Sequence, residues 1–153
     1  MASESSKRKA KSIQPAPRPP LSPAEHRRMV VSMHPGQKEC EYQGMMLGIP
    51  GRVYFADADD GQGVKVGYSE RPAQRVAGFV RGQRLNRPGI RTLRLLGCAA
   101  GRVADERRVH SWLAPWRIHG FRELYRAHPE VLRIVGRLME MGRVPETLEE
   151  LSQ

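Results

Sequence analysis

Val53-Tyr54-Phe55-Ala56, then Asp57-Ala58-Asp59-Asp60-Gly61-Gln62-Gly63, then Val64-Lys65-Val66-Gly67-Tyr68 form the run that decides the fold. The first block is β-prone. The second is turn chemistry, rich in Asp and Gly. The third alternates apolar and polar residues with period two. Together they predict a β-hairpin with a longish loop. The acidic loop is not a calcium loop of the EF-hand type. Its glycine falls one place too early, and no Glu closes it at the twelfth position.

Working outward toward the C-terminus, Ser69 is a candidate N-cap and Pro72 fits a first helical turn. Ala73, Val76, Phe79 and Val80 make an apolar stripe at helical spacing. Arg75 lies beside that stripe, where it emerges at the junction of helix and sheet. Arg81 to Gly89 is a loop of Arg, Asn, Gly and Pro. Thr92 to Cys98 reads as a third strand, with Leu93, Leu95 and Leu96 supplying core. Val103 to Leu113 reads as a helix that turns Ala104, Val109 and Leu113 inward. Glu106 and His110 are four residues apart and share one of its faces. Ile118 to Tyr125 is a connector with aromatic content. Pro129 to Met141 is a further helix, with Val131, Leu132, Val135, Leu138 and Met139 on its apolar face and Gly142 as C-cap. The class expected is α+β: a small three-stranded sheet, one hairpin plus one strand, flanked by helices.

Toward the N-terminus the composition changes. Residues 1–23 are polar and Pro-rich, with Lys7, Arg8, Lys9 and Lys11 clustered. Such a segment buries too little apolar surface to order itself. An arm that adds phosphate contacts and a solubilising tail are equally good readings. Residues 24–50 form an extension in which Ala24 to Met33 can be a short helix after Ser22 and Pro23. Met45 to Leu47 is expected to pack on the domain behind it. The domain proper spans 51–142, and residues 143–153 end in an acidic helical turn.

The 153 residues hold 26 Lys and Arg against 16 acids, a net charge of +10, with a pI near 10.4. Such a charge attracts polyanions, of which nucleic acid is the commonest. A generic solvated surface or a ribosome-bound protein would carry the same charge. Beyond residue 50 the basic residues are Arg except for Lys65, and the guanidinium fork grips phosphate bidentately. No stretch approaches the roughly 20 apolar residues of a membrane span. Met1 to Pro23 has no apolar signal-peptide core, so cytoplasmic residence is expected. Cys40 and Cys98 have no zinc-like spacing and read as reduced thiols.

The order hairpin, Arg-bearing helix, strand, Glu-bearing helix resembles the GIY-YIG endonuclease superfamily. Val53-Tyr54-Phe55 stands at its first motif, Val64-Lys65-Val66-Gly67 at its second, Arg75 at its helix Arg and Glu106 at its metal-binding Glu. The likeness covers residues 51 to 138. It is closest to a phage-associated and bacterial branch, often labelled DNA-binding. That branch carries VKIG as second motif and later E-x-x-x-H and G-E-W-F. Glu106-Arg107-Arg108-Val109-His110 fits the former pattern, and Arg122-Glu123-Leu124-Tyr125 resembles a diverged form of the latter.

The resemblance implies a phosphodiesterase site made of Tyr54, Arg75 and Glu106, with Lys65, His110 and Glu123 as auxiliaries. Glu106 would hold Mg²⁺ or Mn²⁺. Arg75 would grip non-bridging oxygens as charge builds. Tyr54 would orient or deprotonate water, and a base role would demand a cation beside it. Lys65, Arg71, Arg81, Arg84 and Arg87 are the candidate nucleic-acid contacts. Each residue also has a plain reading. Tyr54 can be a packing residue, Arg75 a solvated helix Arg, and Glu106 an ion-pair partner of His110 or Arg102. Lys65 stands where the superfamily has its second Tyr. Tyr68, three residues on, falls on the opposite strand face. Three functions are therefore carried forward: a metal-dependent DNA endonuclease, a DNA-binding module on the same scaffold, and an RNA-associated basic protein.

Overall fold

The computed structural model describes residues 37–59, 61–81 and 92–152. The basic tail of 1–23 and the short helix expected at Ala24 to Met33 lie outside the described residues.

The hairpin forms as its alternation requires. Strand β1 (Arg52–Ala58) pairs antiparallel with β2 (Gly63–Ser69), setting Val53 opposite Tyr68 and Tyr54 opposite Gly67. The turn is shorter than expected because Asp57 and Ala58 belong to β1. Asp57 is buried and pairs with Arg94 at 3.7 Å, which allows a carboxylate to sit at the strand end. Asp59 and Gly61 make the reversal at φ 53° and 101°. Left-handed backbone is tolerated best by Asp, Asn and Gly.

Helix α1 (Gln37–Leu47) precedes the hairpin, and α2 (Pro72–Arg81) follows it. Strand β3 (Leu93–Ala100) returns beside β1. Helix α3 (Val103–Leu113), strand β4 (Leu124–Arg126) and helix α4 (Pro129–Met141) complete the order, with short 3₁₀ turns at Ala114–Trp116 and Leu148–Ser152. Among the described residues the sheet has four antiparallel strands in the order β3-β1-β2-β4. The expected sheet of three strands is thereby corrected. The fourth begins at the end of the segment read as a connector and runs one residue past it, pairing Lys65 with Leu124, Val64 with Tyr125 and Gly63 with Arg126. Three residues are too few for a visible alternation, and the edge of β2 supplies the pairing.

The two faces of the sheet differ. On one, Val53, Phe55, Val64, Val66 and Leu96 meet Val109 and Leu113 of α3 and the apolar face of α4. On the other, Tyr54, Ala56, Ala58, Cys98 and Leu124 meet Cys40 of α1 and Val76 of α2. A bulge serves both faces. Phe55 faces Gly97 and Ala56 faces Leu95, so the additional Leu96 turns to the first face while Leu95 packs against the second.

Helix α4 is the element most directly written in the sequence. Its five expected apolar residues are buried, and Gly142 closes it at φ 69° with its N–H donating to Leu138 O at 2.9 Å. Three expectations fail. Ala73 and Ala104 are exposed, because α2 and α3 each lie on the sheet through their later turns. Met45, Met46 and Leu47 are also exposed, at 73%, 64% and 49%. Helix α1 docks instead through Cys40 and Gly44. A Cβ at Gly44 would lie 2.7 Å from the Arg52 guanidinium, which donates to Ile49 O, Gly51 O and Glu41 Oε2 at 2.8, 3.0 and 3.1 Å. The C-terminal helical turn appears as Leu148–Ser152. No helix among the described residues is long and apolar enough to cross a membrane.

Candidate functional site

Glu106 and His110 occupy successive turns of α3, which puts their side chains one above the other. His110 Nε2 lies 3.1 Å from Glu106 Oε1, and both side chains are about five-sixths buried, at 14% and 16% exposure. A carboxylate only accepts hydrogen bonds. A proton on Nε2 would therefore point at Glu106, while Nδ1 meets the Tyr125 hydroxyl. Tyr125 is fully buried on β4. Its hydroxyl can donate or accept, so it holds the imidazole in place for either tautomer.

The chain returns to this corner along β4. Glu123, one residue before the strand, completes a cluster in which the ligand atoms of Glu106, His110 and Glu123 all lie within 4.8 Å of one another. The Glu123 backbone carbonyl accepts from Val66 N at 2.9 Å, so its place is fixed by the sheet edge. Its carboxylate forms an ion pair with Lys65.

The second face of the sheet contributes the other half. Tyr54 is buried, and its ring crosses Gly67 on the neighbouring strand. A Cβ at Gly67 would sit 2.4 Å from Tyr54 Cζ and Oη. The glycine of the Val64-Lys65-Val66-Gly67 motif is thus space for the tyrosine of the other strand. Burial pushes the Tyr54 hydroxyl up to about 12. Glu123 and Glu106 add to the rise, and Arg75, which hydrogen-bonds to Tyr54, opposes it. Arg75 lies at the junction of helix and sheet expected of it, with its guanidinium 4.9 Å from the Phe79 ring centre. Lys65 Nζ lies 4.8 Å from the same centre. Phe79 thus touches two cations at distances where the ring quadrupole attracts them.

Three candidates from the resemblance, Tyr54, Arg75 and Glu106, and the three auxiliaries, Lys65, His110 and Glu123, converge on one corner of the sheet. Glu106 pairs with His110; among the described ion pairs none joins it to Arg102. Arg71 is exposed at the start of α2, where its N–H donates to Ser69 Oγ at 2.9 Å. Arg84 and Arg87 lie outside the described residues, and of Arg81 only the backbone is described. Sequence reasoning missed Tyr125 and the role of Phe79. Tyr125 stands in the Arg122-Glu123-Leu124-Tyr125 motif and was open to the inference. Phe79 carried the signature of a core residue, and its spacing to Arg75, four positions, was the available clue.

The chain was compared with family models, curated proteins and solved structures, and none of the three yields a match.

Proposed function

We propose that the protein binds nucleic acid and hydrolyses phosphodiester bonds with a divalent cation, on a scaffold that resembles the GIY-YIG nucleases. The observation that carries this reading is the cluster of Glu106, His110 and Glu123 donors within 4.8 Å of one another, set beside Tyr54, Arg75 and Lys65. The net charge of +10 supports nucleic acid as the partner.

Two carboxylates and one imidazole suit a divalent ion that accepts both oxygen and nitrogen. That chemistry favours Mn²⁺ over Mg²⁺, whose protein ligands are usually oxygens. When bound, the cation would polarise phosphoryl oxygens and stabilise charge on the leaving oxygen. Glu106, His110 and Glu123 would hold it, and Tyr125 would keep the imidazole oriented.

Arg75 would grip the non-bridging oxygens through its planar fork. Tyr54, with its hydroxyl raised to about 12, keeps its proton at neutral pH. It therefore acts as a hydrogen-bond donor that orients phosphate or water. The proton of the attacking water would go to the second oxygen of Glu106 or Glu123, since each carboxylate has one oxygen beyond the one that would hold the cation. Lys65 would move from Glu123 to a phosphate when nucleic acid arrives, exchanging one anion for another.

The test is incubation of supercoiled plasmid with the full chain and Mn²⁺ or Mg²⁺, beside Glu106→Ala. Nicking by the parent chain, with Mn²⁺ the better ion, and its loss in the variant are expected. Equal inertness of both across plasmid, linear and single-stranded substrates would remove the claim of cleavage. One observation favours a binding module without cleavage: the Lys65 ammonium already neutralises Glu123. Under that reading binding persists and weakens steeply with salt, while no substrate is cut. A preference for structured RNA would instead favour the RNA-associated reading.

A further inference from the structure

The chain has two cysteines, 58 positions apart, and the fold brings them together. Cys40 of α1 is fully buried and Cys98 of β3 is 5% exposed. Their sulfurs and a Glu41 carboxylate oxygen all lie within 4.8 Å of one another. Rotation about one Cα–Cβ bond moves a sulfur by roughly 3 Å between staggered positions, so the two can come within bonding reach without moving either backbone far.

We propose that Cys40 and Cys98 are a dithiol oxidised by hydrogen peroxide to an intrachain disulfide that fastens α1 to the sheet directly beside Tyr54. Nucleophilic thiols need a nearby cation and a partner to resolve them. The Arg52 guanidinium, which binds Glu41 at 3.1 Å, supplies the cation. Its charge favours the thiolate of both cysteines, and a hydrogen bond from Cys40 favours the thiolate of Cys98 against the opposing effect of burial. Cys40 is shifted the other way, chiefly by that same hydrogen bond. Cys98, 5% exposed where Cys40 is wholly buried, is the sulfur a peroxide meets first and the one that attacks, and Cys40 the one that resolves.

The steps balance. The Cys98 thiolate attacks one peroxide oxygen, the O–O bond breaks, and with one proton water leaves, forming a sulfenic acid on Cys98. The Cys40 sulfur then attacks the Cys98 sulfur, the S–O bond breaks, and the hydroxide leaves as a second water with the Cys40 proton. Two thiols are oxidised and one hydrogen peroxide is reduced. Cys98 keeps 5% of its surface exposed, which is the contact with solvent open to a molecule as small as hydrogen peroxide.

The same three donors make a poor cation site. Glu41 is engaged by Arg52, and the guanidinium would face any ion placed between the sulfurs. A consequence for the rest of the molecule follows from register. Cys98 is the cross-strand partner of Tyr54 and lies in the same side-chain cluster. A covalent change at Cys98 is thus felt at the tyrosine of the candidate site. The proposal itself does not depend on cleavage of nucleic acid.

The experiment treats the full chain with one equivalent of hydrogen peroxide and then alkylates it with iodoacetamide before mass analysis. The expected product is monomeric, lighter by two hydrogens, protected at both cysteines and restored by dithiothreitol. Its Tm should shift upward reversibly with oxidation. In Cys40→Ser, Cys98 should instead be captured as a sulfenic acid by dimedone. The parent chain alone decides the matter, so a variant that fails to fold leaves the test intact. Independent alkylation of both cysteines after oxidation would overturn the proposal, as would disulfide-linked dimers. Stoichiometric Cd²⁺ uptake that shields both thiols would overturn it in favour of a metal site.

Discussion

Val53 and Tyr54 are neighbours in β1, yet they stand in different surroundings. Val53, with Phe55, faces a deep apolar layer made with α3 and α4, where Leu132, Leu138 and Met139 are fully buried. Tyr54 faces a thinner layer of small residues, Ala56, Ala58 and Cys98, under Cys40 and Val76. The first face is apolar through its depth, with Tyr125 and the Glu106–His110 pair of α3 at its edge. The second holds a phenol, two thiols and, at its rim, Lys65 and Arg75. The difference separates two tasks within one strand. One face supplies cohesion, and the other uses small residues to leave room for groups with chemistry. Stability should therefore respond most to changes deep in the first face, and binding or reactivity to changes on the second face and at the corner where Glu106, His110 and Glu123 gather.

The largest effect expected is on the deep face. Phe55 is fully buried between the sheet and α4. Phe55→Ala should cost about 3–5 kcal/mol, because the surrounding helices close only partly over the space left behind. Chemical denaturation would measure it. A loss below about 1 kcal/mol would mean that this layer is not the main source of cohesion, and the contrast between the faces would fail.

The same contrast explains what the sequence could disclose. Long periodic signals belong to the deep face. Val131, Leu132, Val135, Leu138 and Met139 recur at helical spacing and were read directly, as was Val109 to Leu113. The hairpin was legible from the alternation of Val64, Val66 and Tyr68 around a Gly-rich turn. The thin face was harder to see. Helix α1 buries Cys40 and Gly44 rather than its large apolar residues, so its pattern points the wrong way. Ala73 and Ala104 fit a stripe but are too small to prove contact. Strand β4 has three residues, and its existence rests on an edge of β2 that no local pattern reveals. For the candidate site, Glu106 and His110 could be paired from their spacing alone. Glu123 and Tyr125 join them only because β4 returns the chain to that corner. Order along the chain carried the rest, through the resemblance of the motifs.

On the thin face, Gly67→Ala sharpens the comparison. The new Cβ would lie 2.4 Å from the Tyr54 ring, and that ring is boxed in by burial. The ring must move or the strands must part. A loss of about 1–3 kcal/mol is expected from overpacking. A double variant Gly67→Ala with Tyr54→Ala should recover part of the loss that the two single changes would sum to, because the clash is removed with the ring. Strict additivity in a double-mutant cycle would show that Gly67 serves the backbone instead of the tyrosine.

The smallest effect concerns the proton of Tyr54. Its hydroxyl is raised to about 12, chiefly by burial, while a tyrosine of the unfolded chain titrates near 10. Below pH 10 both states keep the proton, and the contribution to stability is intact. Above it the unfolded chain loses its proton first, so stability falls as pH rises from about 10 through 12. At pH 11 the expected loss from this residue is about 1 kcal/mol. Thermal melts of the parent chain between pH 9 and pH 11 should therefore slope downward more than those of Tyr54→Phe. The slope should not vanish in the variant, because burial also raises Tyr125. Identical slopes would mean that Tyr54 ionises as readily in the folded protein as in the unfolded chain. Its hydroxyl would then be available as a base at lower pH, and its assignment as a hydrogen-bond donor to phosphate or water would have to be abandoned.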